Sequence, residues 1–135
     1  MERWLGRFSE IAYTLLRVVA GLSFATHGTQ KLFGYPPGGH GPVPVASLMG
    51  VAGVIEAVGG VMIALGFFAG FAAFIASGEM AVAYFKVHAP QGFFPVLNEG
   101  EAAVLYCFLF LYIATRGSGR YALDAAFHRG PRTAL

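Results

Sequence analysis

The sequence contains little charge and a single cysteine. Only 12% of its 135 residues are Asp, Glu, Lys or Arg, whereas a soluble domain typically has about 25%. The hydrophobic share is 56% and the mean hydropathy is +0.63. A chain with so few charges and so many apolar residues does not match an ordinary soluble domain, and we interpret it as a polytopic membrane protein.

Other absences exclude whole classes of function. The lone Cys107 cannot form an intrachain disulfide, a dithiol relay or a cysteine-based zinc site. The net charge of +2 is too small to indicate nucleic-acid binding. The chain has no flavin or nucleotide fingerprint, so electrons for any redox reaction would come from a partner protein or a bound cofactor.

Four apolar stretches have about the length that a helix needs to cross a membrane, which is roughly 20 residues. They cover about residues 10–33, 45–65, 68–88 and 99–115. Because backbone groups in a bilayer must be hydrogen-bonded internally, these stretches are predicted to be helices, and Gly34 and Gly66 mark the ends of the first two. Short connections make successive helices antiparallel. The predicted fold is therefore all-α, with residues 1–135 forming one integral membrane domain, an antiparallel four-helix transmembrane bundle.

Arginines lie near both ends of the chain and are absent from the two long loops. Arg3 and Arg7 precede the first span, and four arginines follow the fourth: Arg116, Arg120, Arg129 and Arg132. The loops over residues 34–44 and 87–98 contain neither Lys nor Arg. By the positive-inside rule, both termini are predicted to be cytoplasmic.

Three charged residues interrupt the apolar stretches: Arg17, Glu56 and Glu79. A charge at the bilayer centre costs roughly 2.5–3.5 kcal/mol, so such residues usually face a bundle interior and pair with one another. Counting about 1.5 Å per helical residue places the three at similar depth. We therefore expect the planar guanidinium of Arg17 to donate to both carboxylates.

One formal negative charge is left over in this cluster. Either a proton on one carboxyl or a further donor, from among Tyr13, Thr14 and Tyr84, would balance it. The cluster either locks the helices together or forms a site that handles protons or binds a ligand. Lipid-facing placement of the three residues is the remaining alternative.

A second polar layer is predicted near the outer surface. Its members come from the outer ends of three spans and the loop before the fourth: His27, Lys31, Lys86, His88, Asn98, Glu99 and Glu101. Lys31 shares one face of the first helix with Arg17, and Lys86 shares one stripe of the third with Glu79. This spacing predicts an inward polar track from the midplane to the outer mouth.

Two features of this layer have alternative interpretations. His27, His88 and Glu101 would make a two-His, one-carboxylate metal set, but the spacing is not diagnostic. We expect a hydrogen-bonded network or proton relay there, without a metal. Phe93 and Phe94 either anchor the loop before the fourth span at the membrane interface or wall in a flat hydrophobic ligand.

Several motifs resemble those of the DoxX family of small bacterial membrane proteins. The two most specific are H-G-x-x-K-L-F-G, from His27 to Gly34, and G-x-G-R-Y-x-L-D, from Gly117 to Asp124. The match also includes the surroundings of Arg17 and Glu56 and the segments 84–90, 92–95 and 98–101. The resemblance covers nearly the whole chain.

The resemblance implies a four-helix, multi-pass protein of the bacterial inner (plasma) membrane. The family's namesake resembles a subunit of a thiosulfate:quinone oxidoreductase. Other members are linked to quinone or catechol detoxification and to thiol redox defence, commonly with partner enzymes. The recurring polar positions of the family correspond to six residues of this chain: Arg17, His27, Lys31, Glu56, His88 and Glu101.

We therefore expect a quinone-linked oxidoreductase subunit or accessory protein with a polar site inside the membrane. The predicted catalytic, proton-relaying residues are His27, Glu56 and Glu101. The predicted quinone-binding residues are Arg17, Lys31, Glu79, Tyr84 and His88. Membrane lipid and a soluble or membrane redox protein are the expected partners, with further copies of the chain as possible ones. The alternatives are a non-catalytic scaffold that recruits a soluble redox enzyme, and a transporter of protons or small solutes.

Overall fold

A computed structural model describes residues 1–39 and 41–128 of the chain. Within these ranges every regular element is helical, so the all-α prediction is confirmed. The α-helices are α1 (Glu2–Leu5), α2 (Ser9–Phe33), α3 (Leu48–Leu65), α4 (Ala69–Ala83), α5 (Pro95–Asn98), α6 (Glu101–Arg116) and α7 (Leu123–Phe127). Short 3-10 turns cover Gly6–Phe8 and Ala89–Gln91, and a π-helical turn covers Tyr84–His88. Arg129 and Arg132, which entered the orientation prediction, lie outside the described residues.

Three helical segments of the described chain are long and apolar enough to cross a membrane. They are Glu2–Phe33, Leu48–Leu65 and Ala69–Gln91. Helix α6 has 16 residues and spans roughly 24 Å, which is less than the ~30 Å of a hydrocarbon core. Membrane-crossing length is therefore found for three of the four predicted spans, and the fourth span stays a prediction.

Local sequence signals explain where the long helices begin and end. Gly34 and Gly66 follow α2 and α3 in the left-handed conformation, with φ of 70° and 71°, which glycine adopts at little cost. Helix α3 begins at Leu48 rather than at the predicted residue 45 because the Ser47 hydroxyl accepts a hydrogen bond from the Gly50 amide at 3.1 Å. Ser47 is thus the N-cap, a position that serine favours.

Helices α2 and α3 pack in opposite directions along a line of small residues. A Cβ atom on Gly28 would lie 2.3 Å from the Ala57 amide nitrogen, and one on Gly21 would lie 2.6 Å from that of Ala64. Only glycine allows two helical backbones to approach so closely. This contact fixes the axial offset between α2 and α3, and hence which of their polar side chains meet.

Helices α4 and α6 form a second close pair, also running in opposite directions. The Ser77 hydroxyl of α4 donates to the Cys107 carbonyl of α6 at 2.7 Å. The two pairs share one core, in which the rings of Phe24 on α2 and Phe110 on α6 lie 4.7 Å apart. Ile63 of α3 is fully buried in the same core. The core therefore draws side chains from all four long helices, and it leaves seams between the pairs where cavities can form.

Candidate functional site: a polar cleft between α3 and α4

The seam between α3 and α4 contains a cavity of about 470 Å³, here called the α3–α4 cleft. Most of its walls are apolar, including Met49, Ala52, Ile55, Ile75 and Val82. Five polar side chains also line it: Lys31, Glu56, Glu79, Lys86 and His88. Lys31 belongs to α2, so three helices contribute. An apolar cavity with a few convergent polar groups is the usual form of a small-molecule site.

An ion pair joins two of these residues across the α2–α3 contact. The Lys31 ammonium donates to Glu56 Oε1 at 2.6 Å, and the Glu56 side chain is only 3% exposed. The pair forms because Gly28, one helical turn before Lys31, brings α2 against α3 next to Glu56. Glu56 Oε2 is also buried but has no hydrogen-bond partner within the described chain. Glu56 is thus held in place while one of its oxygens remains able to accept a donor.

Glu79 is the least satisfied group of the cleft. Both of its carboxylate oxygens are buried, and neither has a hydrogen-bond partner among the residues that the structure describes. Removing an ionised carboxylate from water without giving it a donor is strongly unfavourable. The neighbouring Gly78 leaves open space beside it. Glu79 therefore requires either a proton of its own or a donor from a bound molecule.

Lys86 and His88 lie farther along the same helical segment as Glu79. The predicted stripe of Glu79 and Lys86 is confirmed, because both line the α3–α4 cleft. His88 is only partly exposed, and its Nδ1 lies 3.0 Å from the Asn98 carbonyl oxygen. Both residues belong to the π-helical turn, a feature that occurs frequently at functional sites.

The expected bridge between Arg17 and the two carboxylates is wrong. The guanidinium instead donates to the carbonyl oxygens of Ile63 at 2.7 Å, Ala64 at 2.9 Å and Tyr121 at 2.7 Å. The last carbonyls of a helix lack partners in that helix and attract cations, and Arg17 satisfies those of α3. Its two partner carbonyls on α3 lie seven and eight residues from Glu56, roughly 10–12 Å along the helix, so the prediction of equal depth is also wrong.

The axial offset between α2 and α3 explains this correction. The helical segment that contains α2 begins at Glu2, well before the predicted start at residue 10. Arg17 is consequently level with the C-terminal end of α3, and Lys31 is level with Glu56. The inward polar track is not continuous either, because the buried Phe24 and Gly28 separate Arg17 from Lys31 on α2.

Tyr84 belongs to a separate network beside the cleft rather than to its lining. The phenol donates to the Phe93 carbonyl and accepts from the Asn98 amide at 3.3 Å. Asn98, which is 1% exposed, also donates to the Gly92 carbonyl at 2.6 Å and accepts from the Gly100 amide at 2.8 Å. The sequence places Asn98 in the outer polar layer but predicts no specific role for it. A buried amide with three such bonds fixes the loop before α6.

His27 and Glu101 lie outside the α3–α4 cleft. Both are exposed, and the His27 ring meets the edge of Tyr106 on α6 at 6.3 Å between centroids. His88 is held by the Asn98 carbonyl instead, so the three-residue metal set is not assembled. No group of three or more His, Cys, Asp or Glu in residues 1–39 and 41–128 is arranged to hold a metal ion.

Phe93 and Phe94 do not wall the cleft. Both are exposed, at 72% and 64%, and their rings contact each other edge to face. Of the two interpretations for this loop, the position of the rings favours interfacial anchoring. Aromatic side chains at that depth commonly lie at the level of the lipid headgroups.

Comparisons with known proteins agree with the residues that form this site. The family model DoxX matches residues 12–89, a range that includes all five polar residues of the cleft. An uncharacterized protein of Haemophilus influenzae is 45% identical over 131 residues, which cover 93% of this chain and 97% of that protein. No solved structure matches the chain.

Proposed function

The chain belongs to the DoxX family of membrane proteins, and on that premise we propose that it binds the headgroup of a quinol in the α3–α4 cleft. The protein would act as a quinone-linked subunit or accessory protein. Its four long helices would form one antiparallel bundle in the bacterial inner membrane, with both termini in the cytoplasm.

The unpartnered carboxylate of Glu79 is the observation that supports this proposal. Together with Glu56 Oε2 it gives the cleft three buried oxygens that have no donor among the described residues. A hydroquinone has two hydroxyl donors on a flat apolar ring, which complements acceptors in an apolar cavity. A cavity of about 150 Å³ already holds benzene, so about 470 Å³ accommodates a substituted ring and the first part of its side chain.

The charged groups of the cleft suit both redox forms of such a ligand. A quinol would donate to Glu79, whereas the carbonyl oxygens of a quinone would accept from Lys31 or Lys86, which line the same cavity. Interconversion of the two forms moves two protons, and carboxylates within hydrogen-bond reach of the ring are suitable acceptors. Electrons would pass to or from a partner protein, which this proposal requires.

Quinol binding to purified protein in lipid nanodiscs tests the proposal. A short-chain quinol should bind saturably, and Glu79→Gln should weaken it about tenfold or more, because the amide replaces one acceptor with a donor. Glu101→Gln is the matched control, since Glu101 is exposed and lies outside the cleft. Absence of saturable binding to the wild type, or equal affinity of the two variants, would contradict the proposal.

Proton or cation transport is a second candidate that the same observation favours. A buried acidic side chain inside a membrane commonly marks an ion pathway, and Glu79 fits that description. Four helices are few for alternating access, so this function would require an oligomer. Ion flux into liposomes that Glu79→Gln abolishes, together with no quinol binding by the wild type, would favour transport.

A further inference from the structure

A second cavity lies in the seam between α2 and α6, on the opposite side of the core from the α3–α4 cleft. The two helices meet at both ends of this seam. At the end where α2 begins and α6 finishes, here called the terminal end, Arg116 pairs with Glu10. Toward the other end, here called the loop end, His27 meets Tyr106. The helices separate along this seam around a slot of about 680 Å³.

The walls of this α2–α6 slot are almost entirely apolar. They include Ala12, Leu16 and Val19 of α2, and Ala102 and Leu105 of α6. Phe24, Tyr106 and Phe110 stack behind them and close the slot toward the core. The slot is therefore a groove with a closed back that opens sideways to the surroundings of the helices.

We propose that the α2–α6 slot binds an acyl chain of an anionic phospholipid, whose headgroup lies at the terminal end. This inference is independent of the ligand in the α3–α4 cleft. Two features of the slot support it: its apolar walls, which suit a hydrocarbon chain, and the charges at its ends, which select the headgroup.

The apolar walls suit a hydrocarbon chain as the occupant. The slot extends from Ala12 to Ser23 on α2 and from Ala102 to Leu109 on α6. The α2 part alone is roughly 16 Å of helix, and a groove of about 680 Å³ with such walls accommodates an extended acyl chain. A helix of a second copy is the competing occupant, which the oligomeric state tests.

The charge distribution places an anionic headgroup at the terminal end. Arg7 lies one turn before Glu10 on the same helical segment, and its guanidinium covers the rings of Trp4 and Phe8 at 5.3 and 4.7 Å. Arg116 contributes a second guanidinium beside Glu10. At the loop end, α6 instead begins with the exposed Glu101, and the exposed Glu99 lies two residues before it. An anionic phosphate is attracted by the arginines and repelled by these carboxylates.

Trp4 makes the proposal measurable, because it is the only tryptophan of the chain and lies at the terminal end. Protein is reconstituted in phosphatidylcholine vesicles that contain a fixed fraction of either phosphatidylglycerol or phosphatidylcholine brominated near the carboxyl end of the acyl chain. Bromine quenches tryptophan fluorescence on contact. We expect at least twofold stronger quenching by the brominated phosphatidylglycerol, and a smaller difference in Arg7→Gln.

Slot-filling variants separate binding in the slot from general attraction to the surface. Ala102→Phe, or Ala12→Phe if the first misfolds, should remove the preference for phosphatidylglycerol, since both alanines are exposed slot residues. Val61→Phe is the control, because Val61 is exposed and lines neither cavity. Helical circular dichroism verifies folding, and cross-linking in the vesicles reports the oligomeric state.

Three outcomes would overturn the proposal. Equal quenching by the two brominated lipids would show that the site does not select the anionic headgroup. A preference that persists in the slot-filling variants would indicate attraction to surface arginines alone. Conversion of a dimer to a monomer by Ala102→Phe, but not by Val61→Phe, would make the seam an interface between copies of the chain.

Discussion

Arg17→Met tests whether this buried arginine is a helix cap or part of the ligand site. The substitution keeps an unbranched apolar stem but removes the hydrogen bonds to the carbonyls of Ile63, Ala64 and Tyr121. Hydrogen bonds inside membrane proteins average about 0.6 kcal/mol and reach about 1.7. Three of them therefore predict a loss of about 2–5 kcal/mol in the free energy of unfolding.

Two further terms determine where in this range the loss falls. The buried Arg17 Nε has no hydrogen-bond partner in the described chain. Because the substitution removes this unsatisfied donor, it reduces the loss in the free energy of unfolding. The Ala64 carbonyl left behind becomes unsatisfied in a region where arginine is 1% exposed, and this raises the cost. The Ile63 carbonyl keeps a hydrogen bond from the Gly66 amide at 3.2 Å. Because one orphaned helix-end carbonyl is set against one spared donor, we expect the middle of the range.

Stability in mixed micelles of increasing SDS content measures the free energy, and hydrogen exchange reports the segment after α6. Loss of the bond to Tyr121 should increase exchange over residues 118–128, where the Asp124 amide bonds to the Gly66 carbonyl at 3.1 Å. Arg120→Met, at an exposed arginine of the same segment, is the control. A loss below 1 kcal/mol with unchanged exchange would refute the capping role. Tenfold weaker quinol binding by Arg17→Met would instead indicate that Arg17 is part of the ligand site.

Two substitutions test the α2–α3 contact on which the cleft depends. Gly28→Ala should destabilise the protein by more than 2 kcal/mol, because its Cβ would lie 2.3 Å from the Ala57 amide nitrogen. The control Gly59→Ala, whose Cβ would meet nothing within 4 Å, should be neutral or stabilising by up to about 1 kcal/mol. Equal effects of the two substitutions in SDS unfolding would contradict the packing argument. Lys31→Met should cost about 1–3 kcal/mol by leaving the 3% exposed carboxylate of Glu56 unpaired, less than for a fully buried pair because Lys31 is 25% exposed. The double variant Lys31→Met/Glu56→Gln should recover most of that loss in SDS unfolding. Strictly additive costs in the double-mutant cycle would show that the two side chains do not interact.

The sequence was sufficient to predict features that depend on a single helix. Gly34 and Gly66 stop their helices because each takes the left-handed conformation without a side-chain clash. Glu79 and Lys86 share a stripe because both belong to one continuous helical segment. In each case the relevant distances lie within about two helical turns, and helical periodicity determines them.

Features that depend on the offset between helices could not be predicted in the same way. Glu56 pairs with Lys31 and not with Arg17 because Gly21 and Gly28 set α2 against α3 at one particular register. Counting residues from the ends of an apolar stretch gives depth only if both helices begin at the same membrane level. The N-terminal extension of α2 breaks that assumption by more than two turns.

The same limit applies to loop geometry. Asn98 binds three partners because the next residue, Glu99, takes a left-handed φ of 61° that turns the chain back toward it. A glutamate is uncommon in that conformation, so the sequence contains no turn motif that would predict this turn. His27 illustrates a related problem, since its exposure depends on how far α6 lies from α2.

The arrangement of the two cavities follows from how the four long helices pair. Helix α2 is locked to α3 by backbone contacts at Gly21 and Gly28, and α4 is joined to α6 through Ser77. Both cavities lie in the seams between these pairs, so a molecule in either one contacts a helix from each pair. A quinol in the α3–α4 cleft should therefore slow hydrogen exchange on both sides of that seam, around Glu56 and around Glu79. Slower hydrogen exchange in only one of the two helix pairs would mean that the quinol binds elsewhere.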